Sequence, residues 1–176
     1  MLSLKYFFIE GRQELDKIIE YLGTTNHKVV VANKKYFNHM ANNLRKHDLL
    51  EVACFSNNPI EPFFKSLIYD DETYILLDDK NIPYIAFGCG ISPTEEAYIW
   101  MLGTNDVFKY KKIFVKYCKR WVNKLASKYE TVTNYVHVDN KLSIRWLKWC
   151  GAVFSPKLNI LGQDFYKFYI TKRKIN

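Results

Sequence analysis

The chain has 176 residues, 48% of them hydrophobic and 16% aromatic, and a net charge of +8. That is enough apolar material for one buried core, and too much for a disordered chain. The longest apolar runs, such as residues 82–91, fall well short of the roughly 18 to 20 residues of a membrane span, and Cys54, Cys89, Cys118 and Cys150 are too scattered for a zinc site or a disulfide framework.

Taken in chain order, residues 10–23 place Leu15, Ile18, Ile19 and Leu22 at three- and four-residue spacing, which predicts a short helix stopped by Gly23. The start of the chain has an apolar patch but neither a basic lead nor a small-residue cleavage site, so no signal peptide is expected there. The run Val29-Val30-Val31 reads as the first strand of the core sheet. From residue 34 to about 55 the spacing of Phe37, Met40, Ala41, Leu44 and Val52 predicts one or two helices, broken near His47-Asp48. Arg45, Asp48 and Glu51 fall three apart on one side of that segment, where they form solvated ion pairs or line a cleft.

Residues 60–69 form a further helix with Pro62 in its first turn. Residues 73–77 and 82–91 are strands joined by the polar turn Asp78-Asp79-Lys80-Asn81, and Gly88-Cys89-Gly90 in the second marks a bulge or a close approach by another chain or a ligand. A strand at 97–102 leads into a long helix with a core stripe of Val107, Tyr110, Phe114, Tyr117, Trp121 and Leu125. Strands at 132–138, 152–154 and 165–171 follow, with a helix after Asn140 that ends at Gly151, and a basic tail. The order predicts an α+β domain with a largely antiparallel mixed sheet and helices on both faces. Residues 1–27 are an N-terminal helical extension to a single domain at 28–176.

The segment from Asn140 to Gly151 resembles the pattern Asn-x-x-Ala-x-x-Leu-Tyr-x-x-x-Gly-Phe of the GNAT (GCN5-related N-acetyltransferase) superfamily. The order of segments over residues 28–171 resembles that superfamily too. Ala86-Phe87-Gly88, Trp100 to Thr104, Tyr135 to Asn140 and Ile144 to Trp149 are similar, more narrowly, to GNAT-like proteins of short-tailed bacteriophages associated with virion morphogenesis. The resemblance implies acetyl-CoA as cofactor, held by the backbone at Leu102, Gly103 and Thr104, by Lys109 and Lys112, and by Asn140. It implies Asn140, Tyr135, His137 and Glu51 as catalytic candidates, other phage or host proteins as partners, and a place in the bacterial host cytoplasm or on the virion. The cysteine and histidine spacing leads to no expected metal.

Two positions depart from the superfamily pattern. The phosphate-binding turn has one glycine, Gly103, and Asp106 places a negative charge in the following helical turn, which favours the helix but repels a pyrophosphate. The usual tyrosine acid is replaced by Leu147, which cannot donate a proton. Three readings follow. The first is a phage-type GNAT-fold protein with a degenerate acetyl-CoA site, acting in virion morphogenesis. The second is an active N-acetyltransferase for a protein or small-molecule amine. The third is a nucleic-acid-binding module using Lys109, Lys112, Lys116, Lys119 and Lys124 of the long helix. Asn140 is also the expected N-cap of its helix. The gap between strands 97–102 and 132–138 is expected to be partly filled by side chains.

Overall fold

The computed structural model describes residues 15–172. Eight strands form one sheet: β1 (Ile18–Tyr21), β2 (Lys28–Val31), β3 (Asp70–Leu77), β4 (Pro83–Ile91), β5 (Ala97–Gly103), β6 (Thr131–His137), β7 (Val153–Ile160) and β8 (Gln163–Thr171). Their order is β1-β2-β3-β4-β5-β6-β8-β7. Every neighbouring pair is antiparallel except β5 and β6.

Helices α1 (Phe37–Asn42), α2 (Lys46–Ala53) and α3 (Glu61–Tyr69) cover one face. Their core includes Phe37, Met40, Val52 and Phe63 against Ile75, Leu77, Ala86 and Leu102. The other face carries α5 (Lys111–Ala126), preceded by the single turn α4 (Asp106–Lys109), and α6 (Lys141–Cys150). There Trp121, Leu125, Ile144 and Leu147 pack on Tyr74, Leu76, Ile85 and Phe87. With helices on both sides, β3 and β4 are buried along most of their length, so they appear in the sequence as nearly continuous apolar runs.

The helix expected over residues 10–23 is not formed in its described part: Ile18–Tyr21 is the edge strand β1, paired with β2. Leu15, Ile18, Ile19 and Leu22 fit helical spacing, but pairing with a strand formed later in the chain overrides that local signal. The remainder of that segment, and Arg173 and Lys174 of the basic tail, lie outside the described residues.

The long helix expected after β5 is interrupted at Tyr110, with φ −101° and ψ 21°. Its hydroxyl donates to Asp78 at 2.9 Å, and Asp78 in turn accepts from the backbone N–H groups of Lys80 and Ile82 in the β3–β4 turn. The helix break and the hairpin turn therefore hold one another. The strand expected to stop at 154 runs on to Ile160 past Pro156; Pro is tolerated because β7 is an edge strand and its register shifts between Phe154 and Lys157.

Candidate functional site: the splay between β5 and β6

Parallel neighbours β5 and β6 share a single register pair, Tyr98 with Thr133, and diverge toward their C-terminal ends. Asn134 reaches across the start of the gap, its Nδ2 donating to the Ile99 carbonyl at 2.9 Å. A cleft of about 270 Å³ lies in the splay, lined by Trp100, Leu102, Tyr135, Val136, Leu147 and Phe165 among others.

Helix α2 crosses the open end of this splay. Two carboxylates three residues apart lie on one side of a helix, and here each is bound to a different strand end. Asp48 accepts from the Gly103 N–H at the end of β5 at 2.6 Å, and from Arg45 Nη2 and Nε at 2.7 and 3.1 Å. The Arg45 N–H donates back to the Gly103 carbonyl at 2.9 Å. Glu51 Oε1 accepts from the His137 N–H at the end of β6 at 3.0 Å, and from Asn140 Nδ2 at 2.9 Å. The helix thus fastens both strands where they have ceased to fasten one another.

Burial pushes the Asp48 carboxyl above its ordinary range, while Arg45 and the Gly103 N–H oppose that shift. Burial also pushes Glu51 up to about 7, against the hydrogen bonds from Asn140 and the His137 N–H. A carboxyl in that range can exchange a proton at neutral pH, which is the electrostatic requirement for a general base.

Of the residues singled out by sequence, Glu51, Asn140 and the His137 backbone meet directly, and Tyr135 is among the residues along the same cleft. The His137 ring turns elsewhere. Its Nε2 is 3.3 Å from Gln163 Oε1, its Nδ1 accepts from the Asp139 N–H at 3.2 Å, and its edge meets Phe165. Lys167 sits over the Tyr135 ring. Asn140 is the N-cap of α6, accepting from the Ser143 N–H at 3.2 Å, and Gly151 closes the same helix at φ 101°, a left-handed conformation suited to glycine.

Leu102 is buried. Thr104 is buried too, and its N–H donates to the Tyr84 carbonyl at 2.9 Å. Its hydroxyl accepts from the Asp106 N–H at 3.3 Å and its carbonyl from the Val107 N–H at 3.2 Å. The backbone donors at the turn where the superfamily holds a pyrophosphate are therefore committed within the chain at Gly103, Thr104, Asp106 and Val107. Lys109 lies over the Tyr110 ring and Lys112 is exposed on α5; neither lines the cleft. Leu147 does, on the α6 side.

A second polar cluster escaped the sequence reading. Asp70 accepts from Tyr98 Oη and Trp100 Nε1, each at 2.6 Å, and from Thr73 Oγ1 at 3.0 Å. Gly88 pairs with Trp100 and Gly90 with Tyr98. A Cβ on Gly88 would lie 2.5 Å from the Glu72 carbonyl oxygen and 2.9 Å from Trp100 Nε1; one on Gly90 would lie 2.7 Å from Tyr98 Oη. What approaches the Gly-Cys-Gly segment is thus the pair of aromatic side chains crossing it toward Asp70, and the register shift beside it falls between Asp70 and Glu72. The alternation of Gly88/Gly90 on one strand with Tyr98/Trp100 on the next was the available signal. A larger cleft of about 590 Å³ adjoins this cluster and shares Phe55, Pro62, Trp100 and Asn134 with the splay.

Among the described residues no cluster of His, Cys, Asp or Glu could hold a metal, all four cysteines are free thiols, and no helix is long and apolar enough to cross a membrane.

Solved structures similar to this chain include acetyltransferases. Ard1 from Thermoplasma volcanium superposes with a TM-score of 0.65 at 11% identity, covering 85% of this chain and 99% of its own. Spermidine N-acetyltransferase from Vibrio cholerae, solved with CoA and spermine, gives 0.60 at 12% identity, covering 84% and 96%. RimL, a ribosomal L7/L12 alpha-N-protein acetyltransferase solved with CoA, gives 0.58 at 14%, covering 89% and 98%. Identities this low establish the fold alone. By sequence, residues 85–158 match the family described as bacteriophage T7 probable scaffold protein Gp13. The "probable scaffold protein gp13" of Escherichia phage T7 is 39% identical over 131 residues, spanning 72% of this chain and 85% of that protein. The chain therefore belongs to the family of the phage T7 probable scaffold protein gp13, and its members' sequence is here carried on a GNAT acetyltransferase fold.

Proposed function

We propose that this chain is a phage assembly protein that acts in virion morphogenesis by binding other phage or host proteins, with its acetyl-CoA slot closed by α2. The observation that carries this reading is the double attachment of α2: Asp48 to the Gly103 N–H and Glu51 to the His137 N–H and Asn140. A thioester cofactor entering the splay needs backbone donors at the strand ends and at the following turn. Here carboxylates of the chain already use those at the strand ends, and Leu147 removes the superfamily's proton donor. The T7 relative is named as a scaffold protein, which supports a structural rather than a catalytic task.

The alternative, an active N-acetyltransferase, draws on one feature: Glu51 sits in the splay with its carboxyl raised to about 7, as a base for an amine would require. The substitution Glu51→Gln separates the two. In a phage defective in this gene, a complementing copy with Glu51→Gln restores infectious particles if Glu51 is a structural attachment, because the amide oxygen still accepts both hydrogen bonds. If Glu51 is a catalytic base, complementation is lost although the protein remains folded.

A further inference from the structure

Helices α5 and α6 lie side by side on one face of the sheet. Phe114 meets Trp146, Trp146 Nε1 donates to Cys118 Sγ, and Lys119 covers the Trp149 ring. The outer surface of this pair has an unusual charge arrangement. Neither helix contains an acidic residue. Lys112, Lys116 and Lys119 recur at four- and three-residue spacing along α5, and Lys141, Arg145 and Lys148 repeat that spacing along α6. All six side chains are exposed or half-exposed, and none has a carboxylate partner among the described residues. Of the seven ion pairs found there, only Arg120–Glu20 involves either helix. Elsewhere Lys35, Arg45, Lys65, Lys128, Lys157 and Lys167 each pair with a carboxylate; in these two rows no cation does, among the described residues.

We infer that this face docks duplex DNA through its phosphates, without reading sequence. Each row is about 10 Å long at 1.5 Å per residue, and packed helix axes lie about 8 to 10 Å apart. That separation falls within the roughly 6 to 12 Å widths of the duplex grooves, so each row can follow one phosphate strand. Like charges at such spacing cost a helix stability, whereas a polyanion that releases counterions on binding offsets that cost. An acidic protein surface fits less well. Five of the six cations are lysines, point charges rather than the forks that pair with carboxylates, and Trp149, the exposed aromatic on α6, already lies beneath Lys119. The sequence drew attention to the α5 lysines; the second row is brought beside them by the packing of α6 on α5.

The test is fluorescence anisotropy of a labelled 20-base-pair duplex titrated with the full chain across a range of salt concentrations. Binding is expected at low salt, with a logarithmic salt slope of several units. The double substitution Lys116→Gln and Arg145→Gln should weaken it and reduce the slope by about 1.8, or 0.9 per lost phosphate contact. Lys65→Gln on the opposite face should leave the slope unchanged, and circular dichroism melting reports that each variant is folded. Absence of binding at low salt, a slope indifferent to the double substitution, or tighter binding of a poly-glutamate chain than of the duplex at the same salt would each overturn the proposal, the last in favour of an acidic protein partner.

Discussion

Glu51 on α2 and Asn140 before α6 are 89 residues apart in the chain and are joined by a 2.9 Å hydrogen bond. Asn140 uses its two side-chain functions in opposite directions: Nδ2 donates to Glu51, while Oδ1 accepts from the Ser143 N–H. Asn140→Ala removes an N-cap and leaves a buried carboxyl short of one donor. The expected loss is about 2 to 3 kcal/mol of unfolding free energy, measured by urea denaturation.

The raised Glu51 carboxyl gives stability a pH dependence of defined sign. Its folded pKa of about 7 lies above the ordinary 4.5, so between those values the folded state holds a proton that the unfolded state releases. Stability from this group is fully present below pH 4.5 and is lost as pH rises through 7, by about 3 kcal/mol in total. Unfolding free energies of wild type and Glu51→Gln measured across that window should converge at its acid end, with the variant's profile the flatter. Equal slopes for the two proteins would show that Glu51 does not titrate there.

Gly88 is held by the aromatic crossing of β4. A methyl group in its place meets the Glu72 carbonyl oxygen at 2.5 Å and Asp70 Oδ2 at 2.7 Å, and a backbone oxygen cannot swing aside. Gly88→Ala is expected to cost about 1 to 3 kcal/mol and to alter the tryptophan emission through Trp100, whose Nε1 hydrogen bond to Asp70 lies in the path. Thermal melting followed by fluorescence checks both effects together.

Tyr110 links a helix break to a hairpin turn through Asp78. Tyr110→Phe removes that donor while keeping the ring against His27 and Tyr84. A loss of about 0.5 to 1.5 kcal/mol is expected, with faster amide hydrogen exchange at the 78–82 turn. Unchanged exchange there would mean that the turn stands without the helix.

Local signals in the sequence carried the order of elements and the ends of α6: an asparagine able to cap, an amphipathic run and a glycine able to adopt positive φ are all read within a dozen residues. The spacing of Arg45, Asp48 and Glu51 was also visible and left two readings, solvated pairs or a cleft lining. The structure shows a buried Arg45–Asp48 pair whose decisive partner is the Gly103 N–H, 55 residues away, and no local pattern encodes that distance. The edge strand β1 was misread for the related reason that Ile18 and Ile19 satisfy helical spacing and strand pairing alike. His137 drew attention as an acid–base side chain, yet its contribution to the splay is its backbone N–H, which any residue but proline supplies.

In the proposed function α2 closes the acetyl-CoA slot of a GNAT fold. Isothermal titration of the full chain with acetyl-CoA, carried to millimolar cofactor at neutral pH, tests it most directly. The closed slot predicts no saturable heat and no thermal shift; saturable binding with a micromolar Kd, accompanied by release of α2 from Gly103 and Asn140, would contradict it.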